Sequence, residues 1–332
     1  MKTEQKSIKK EFTRHIPVLL QSVLEQLNLK KGGIYVDCNL GDGGHSEEII
    51  KKLDGDVTII AFDLDQDAIN RAGLNFQKMQ SSLKTSKTPK IIFVHDNFKN
   101  LKNNLDDLQV EKVDGILYDL GLSSYELEES GRGFSFRKDE PLIMTFANTG
   151  VMDDTKDDAK NVSASDDQFT AYEIVNSWDE ENLRTIIEAY GEEDFAYKIA
   201  KRIVQERQNG EIKTSKQLAE IIKGAVPSWR RFAKTHPATK TFQALRIAIN
   251  DELGALNQTL PQALEKLKNE GRLVVISYHS LEDRIVKNFF KQMQENGDVK
   301  ILTKRPIVPT DDEIKENPRA RSAKERVLEK IN

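Results

Sequence analysis

The chain has 332 residues, 38% of them hydrophobic and 31% charged, with a formal net charge of -4; that length supports one large or two moderate folded domains, and that charge excludes a protein that coats nucleic acid by bulk attraction. A single cysteine, Cys38, excludes an intramolecular disulfide and a cysteine-cluster metal site, and fits a reducing compartment. With no apolar run of ~20 residues and an N-terminal MKTEQKSIKKEF that lacks the core of a signal peptide, a cytoplasmic protein without membrane contact or bound metal is expected.

In chain order, apolar spacing predicts a helix over 18–27, a strand over 34–37, a helix over 46–53, a strand over 57–63, a helix over 67–79, and strands over 91–95 and 113–119. This alternation is that of an α/β doubly wound, mostly parallel sheet. Ligands of such sheets sit beyond the carboxyl ends of the strands, so Asp37, Asp63, the turn His95-Asp96-Asn97-Phe98 and Asp119 are expected to share one crevice. The rhythm then breaks: 179–190, 192–208 and 215–225 show helical spacing, with Phe195, Ile199 and Ile203 on one face, and no strand run appears before His236. Residues 149–168 are acidic, small and almost free of large apolar side chains, the composition of a mobile loop. Phe242, Leu245, Ile249, Leu253, Leu256 and Leu260 make a later helical stripe, followed by a buried strand at 273–277. The reading is one α/β domain, 1–124 and 237–332, interrupted by a helical insertion, 125–236.

The segment 34–46, IYVDCNLGDGGHS, carries the chemistry. Glycine at Gly41, Gly43 and Gly44 lets the backbone turn out of the strand and approach a ligand without a Cβ in the way, and Asp63 at the next strand tip can accept from two ribose hydroxyls. A dinucleotide would need a third glycine to seat its pyrophosphate at the helix N-terminus, and the acid Asp42 would repel it. A cationic sulfonium cofactor tolerates Asp37 and Asp42, so the turn favours S-adenosyl-L-methionine over a nicotinamide dinucleotide. Phe98 can pack on an adenine face or serve the core; His45 can cap the helix or face a cofactor carboxylate.

Longer motifs extend from His15 almost to the C-terminus: HIPVLLQSVLEQL, YVDCNLGDGGHS, DGILYDLGLSS, RGFSF, AYGEEDFAYKIAKRIV, HPATKTFQALRIAIND, ISYHSLEDRIVK and ENPRARSAKERV. On these the sequence resembles the bacterial small-subunit ribosomal RNA cytosine-N4 methyltransferase family, RsmH, formerly MraW. The resemblance implies a class I methyltransferase-like domain with an inserted helical substrate-recognition domain, S-adenosylmethionine as cofactor, and the N4 amine of a decoding-region cytosine as target. It further implies the small ribosomal subunit and its 16S RNA as partner, with no DNA; a homodimer is compatible. By motif, the cofactor contacts fall on Gly43, Gly44, His45, Asp63, Phe98 and Asp119. Two departures stand out. Tyr125-Glu126 replaces the family's usual Pro-Gln, so a carboxylate, Glu126, stands at a cofactor contact. Residues 139–146, DEPLIMTF, replace the usual DGPLDMRMD and lose an aspartate and an arginine on the substrate side.

A cytosine N4 amine is conjugated with its ring, so catalysis needs alignment and an acceptor that draws its lone pair out of conjugation. Asp119 is placed for that, with Ser123 or Ser124 as a second polar contact. A flipped base also needs cations and aromatics around the pocket. Trp229, Arg230, Arg231, Phe232, Lys234, His236, Lys240 and Arg246 supply them where the insertion rejoins the sheet, and Lys304, Arg305, Arg319, Arg321, Lys324 and Arg326 form a second basic run. The alternative is an RNA-binding ribosome-assembly protein whose methyltransferase centre has decayed.

Overall fold

The computed structural model describes residues 16–82, 87–146 and 169–331; the acidic loop expected at 149–168 lies outside them. Seven strands form one sheet: β1 Gly33–Asp37, β2 Val57–Asp63, β3 Lys90–His95, β4 Val113–Asp119, β5 Leu267–Ser277, β6 Val299–Ile301 and β7 Lys324–Lys330. Their order is β3-β2-β1-β4-β5-β7-β6. β1 to β5 pair in parallel, and β7 runs antiparallel between β5 and β6. Both faces of the sheet are covered, which is why its strands read as continuous apolar runs. Alternate residues serve opposite cores: Tyr35, Ile59, Leu117, Val274 and Val327 on one side, and Val36, Ile60, Ile116, Val275 and Leu328 on the other. This is the α/β architecture expected.

The register matters for function. Asp37 pairs with Ala61 and Leu117, Asp63 with His95, and Asp119 with Ile276. The polar tips therefore leave the sheet at the same edge.

A third core belongs to the helical region. Leu142, Met144, Ile174, Leu183, Ile187, Ile199, Ile203, Leu218 and Ile222 pack together, and among the described residues from 125 to 236 the only strand-like pairing is the Pro141–Thr214 bridge. Helix starts are set by side-chain caps, as the sequence chemistry requires: Thr170 and Glu173 form a capping box before Ala171–Ser177, Asp179 caps Glu180–Gly191, and Thr214 caps Ser215–Ala225.

The single stripe expected from Phe242 to Leu260 is in fact two helices in two cores. Asp251 adopts a left-handed conformation, φ 47 and ψ 42, and its carboxylate folds over Gly254, where a Cβ would lie 2.3 Å from Oδ1. Ala238–Asn250 packs Phe242, Leu245 and Ile249 into the helical core. Glu252–Lys266 packs Leu256, Leu260 and Ala263 against the sheet. Helical spacing continues across the break, so periodicity cannot see it.

Candidate active site at the strand tips

The glycine turn is shaped by the protein's own side chains. Gly41 and Gly43 have φ of +52 and +83, which glycine adopts without penalty. A Cβ on Gly43 would stand 2.9 Å from the Phe76 ring, and one on Gly44 would stand 2.6 Å from Cγ of Pro17. The expectation that these glycines clear space for a ligand is therefore incomplete, because Phe76 and Pro17 already occupy the space beside them. Pro17 is held there by its neighbours: Leu19 N–H donates to Glu313 (2.6 Å) and Asn317 donates to the Ile16 carbonyl (3.1 Å), so the two ends of the described chain meet over the turn.

Asp63 ties the turn to β2. Its carboxylate accepts from Gly41 N–H and Asp65 N–H, both at 2.8 Å. Burial and the nearby Glu126 carboxylate nevertheless push its pKa up to about 7. Asp37 is buried, accepts from Ser46 Oγ at 2.7 Å, and is raised by that burial. Asp42 does not face the crevice as a free charge: Arg71 Nε donates to it at 2.8 Å, and the same guanidinium lies 3.8 Å from the centre of the Tyr125 ring. The departure at Tyr125 thus builds an Asp42–Arg71–Tyr125 clasp along one rim.

Asp119 is gripped from two sides. The Tyr278 hydroxyl donates to Oδ1 at 2.7 Å, while Oδ2 lies 3.4 Å from His45 Nε2, too long for a full hydrogen bond. His45 is 6% exposed, and both of its ring nitrogens lack a hydrogen bond, as does the buried Oδ1 of Asn39. Burial works against the imidazolium, but Asp119, Asp37 and Glu325 outweigh it and raise the pKa. Buried polar atoms without partners are uncommon; others occur at Glu193, Thr241, His279 and Glu325, but those of His45 and Asn39 lie beside the glycine turn, where a ligand's carboxylate or amine would satisfy them.

Other expected site residues are already engaged. Ser123 Oγ caps the short helix Ser124–Glu128, and Glu126 closes the box by accepting from Ser123 N–H at 2.7 Å. Burial raises the Glu126 carboxyl, against the Ser123 hydrogen bond and the charge of Arg132. Ser124 Oγ accepts from Arg319, whose second nitrogen reaches Glu128 at 2.6 Å. Phe98 is half-buried and meets Tyr118 edge-on at 5.5 Å. Within the β3 turn, Asp96 is saturated by Asn97, Asn100 and Asn104, and His95 bonds the Leu64 carbonyl.

Two residues that the sequence reading passed over organise the region. Arg132, from the RGFSF motif, forms a buried pair with Asp65 at 2.9 Å and donates to the carbonyls of Thr145 and Phe146. It joins the insertion to the turn after β2. Tyr278 precedes the HSLED run; the only signal was its place at the end of β5. The altered run is core: Leu142, Ile143, Met144 and Thr145 are at most 1% exposed, and Asn250 holds Met144 O and Phe146 N–H.

The expected RNA-contacting cations are mostly spent internally. Arg230 donates to Thr235 O (2.8 Å), Arg231 to Val226 O (2.9 Å) and Gly224 O (3.1 Å), and Lys240 to Glu192 O (2.6 Å). Arg246 makes a bidentate pair with Glu252 at 2.7 and 2.9 Å. His236 stacks on Phe136 at 4.5 Å, and Lys234 is exposed. In the second basic run, Lys324 and Arg326 pair with Asp283. Glu252, His279 and Glu282 offer ligand-type atoms within 4.8 Å of one another. His279 Nδ1 lies 3.4 Å from the Glu282 N–H and Nε2 3.2 Å from Glu282 Oε1, an arrangement that caps the helix Ser280–Glu295.

The sequence matches the model of the MraW methylase family over residues 12–331. It is 42% identical over 332 residues to "Ribosomal RNA small subunit methyltransferase H" of Clostridioides difficile (strain 630), covering 96% of this chain and 99% of that protein. It is 41% identical over 339 residues to the protein of the same name from Paenibacillus sp. (strain JDR-2), with the same coverage. Among solved structures, an rRNA methylase from Streptococcus thermophilus superposes with a TM-score of 0.42 at 10% identity, covering 96% of this chain and all of that one. With family model and relatives spanning nearly its whole length, the chain belongs to the MraW methylase family.

Proposed function

We propose that the protein methylates small-subunit ribosomal RNA with S-adenosylmethionine, and that its target is the N4 amine of a cytosine in the decoding region. Family membership and the names of its relatives support the first part. The observation that carries the second is Asp119: a carboxylate at the tip of the central strand β4, fixed by Tyr278 and open towards the crevice.

The cofactor, when bound, supplies an electrophilic methyl group on a sulfonium. The residues present suit it. Asp63 would accept from the ribose hydroxyls, Phe98 and the turn at Gly43 and Gly44 would line the nucleoside, and His45 with Asn39 would meet the polar tail. The unpartnered ring nitrogens of His45 and Oδ1 of Asn39 support that fit. Asp119 accepts a hydrogen bond from the amine, draws the lone pair out of conjugation and takes the proton lost when the N–C bond forms. Tyr278 keeps the carboxylate aimed. Ser123, Ser124 and Glu126 hold the loop after Asp119 through their own hydrogen bonds, in place of direct contact with the reacting atoms. The helical insertion presents RNA to the crevice.

The test is methyl incorporation from labelled cofactor into small subunits isolated without this modification, followed by mapping of the modified base. Label on a cytosine N4 amine is expected. Label on a ring carbon or another base would remove the N4 assignment, and no cofactor binding by calorimetry would favour the decayed-centre alternative.

A further inference from the structure

Trp229 and Phe232 are 68% and 86% exposed, the highest values among the large apolar side chains of the described residues. Trp229 lies within the single helical turn Ser228–Arg231 and Phe232 is its C-cap. Core aromatics do not sit this way, and burying neither is a cost in water unless something covers them. The turn beneath them is braced. Arg231 donates back to Val226 and Gly224, and Arg230 donates forward to Thr235, so two guanidinium groups fasten both ends of the loop while keeping their charge. From Gly224 to Lys240 the sequence holds Arg230, Arg231, Lys234 and Lys240 and no carboxylate, within a chain whose net charge is -4. The turn carries no carboxylate of its own, although Arg230 also lies 3.7 Å from the buried Glu193, and Trp229 rests edge-to-face on Phe195 at 5.7 Å while most of its surface stays bare; exposed aromatic side chains among cations fit a ligand with a polyanionic backbone and exposed rings.

We propose that Trp229 and Phe232 form a stacking platform for unpaired nucleotides that flank the methylated base. Unpaired bases stack on aromatic side chains with little sequence preference, whereas paired bases are unavailable for it. The location agrees with a flanking role. The helix Ala238–Asn250 runs from the platform to Asn250, about 20 Å for its 13 residues at the usual rise. Asn250 there holds the segment that Arg132 anchors to Asp65. One end of that helix thus follows the platform in the chain and the other is tied, through Arg132 and Asp65, to the turn after β2. The inference rests on the reading of this protein as an RNA enzyme.

The chain has two tryptophans, so the full-length Trp178→Phe protein leaves Trp229 as its only indole. Titration with a single-stranded oligoribonucleotide of the decoding region should quench that fluorescence, and the same strand annealed to its complement should not. Trp229→Ala with Phe232→Ala should weaken single-strand binding tenfold or more without changing the melting temperature or cofactor affinity; Phe232→Ala alone, at the most exposed position, should show part of the loss. Equal quenching by duplex, unchanged affinity in the double variant, or quenching by phosphatidylglycerol vesicles in place of RNA would overturn the proposal. If the oligonucleotide quenches Trp229 but no RNA is ever methylated, the functional reading falls and the platform stands. If methylation proceeds with no dependence on the platform, the reverse holds.

Discussion

The strand-tip crevice and the basic stretch at 224–240 make opposite use of their polar groups. At the strand tips, buried atoms of His45 and Asn39 lack hydrogen bonds, and Asp119 is hydrogen-bonded by Tyr278 at one oxygen while the other lies 3.4 Å from His45 Nε2. In the basic stretch, Arg230, Arg231 and Lys240 donate to backbone carbonyls, Arg230 also pairing with the buried Glu193, and it is the apolar Trp229 and Phe232 that stay mostly bare. Unmet demand marks a site better than residue type does. A charged side chain satisfied at home offers a partner little beyond its field, whereas an orphaned buried atom or a bare aromatic face has free energy still to gain.

Substitutions can break this comparison or sharpen it. The largest effect is expected at Asp119→Ala, which should fold and still bind RNA but lose methyl transfer by about 10²–10⁴-fold; unchanged turnover of labelled cofactor would take Asp119 out of the mechanism. Arg132→Met leaves Asp65 charged and buried without its partner, a loss on the order of 3–5 kcal/mol to be read by urea denaturation. Tyr278→Phe removes the hydroxyl from Asp119 and should lower kcat about tenfold, the worth of a hydrogen bond to a charged group, while KM for the cofactor stays put; a matching rise in KM would place Tyr278 on the cofactor instead.

A smaller effect depends on pH. Glu325, in β7, is fully buried with both oxygens unpartnered, and burial pushes its pKa up to about 7 from 4.5. A carboxyl whose pKa is raised by folding stabilises fully below the unfolded value and loses that contribution as pH climbs through the folded one. Glu325→Gln should therefore gain melting temperature relative to the parent between pH 4.5 and 7 and keep a constant margin above; a margin independent of pH would show that the carboxyl is ionised throughout. Smallest of all, Lys240→Ala should change RNA affinity by less than about twofold beyond its bulk charge, because its ammonium is already bound to Glu192 O. A large loss there would erase the contrast between the two regions.

Much of this protein is legible locally. The apolar runs, the glycine turn and the acids that end β1, β2 and β4 are features of consecutive residues, and strand pairing then aligns their tips. The long motifs carry the family as well. Less legible is what each polar group spends itself on: Asp42 bonds Arg71 on the following helix, and Ser124 accepts from Arg319, far along the chain. The run at 142–145, where the sequence suggested altered substrate contacts, is core.

By itself the sequence determined the α/β class, the presence of a helical interruption, the glycine turn after the first strand and the acids that reach the sheet edge, because backbone periodicity and turn chemistry act over a few neighbours. Only the tertiary structure decided that Phe76 and Pro17 press on Gly43 and Gly44, that Tyr278 and His45 bracket Asp119, that one helical stripe divides at Asp251 between two cores, and that Trp229 and Phe232 stand bare. Those outcomes depend on which distant groups meet first and satisfy one another, and spacing along the chain carries no record of that competition.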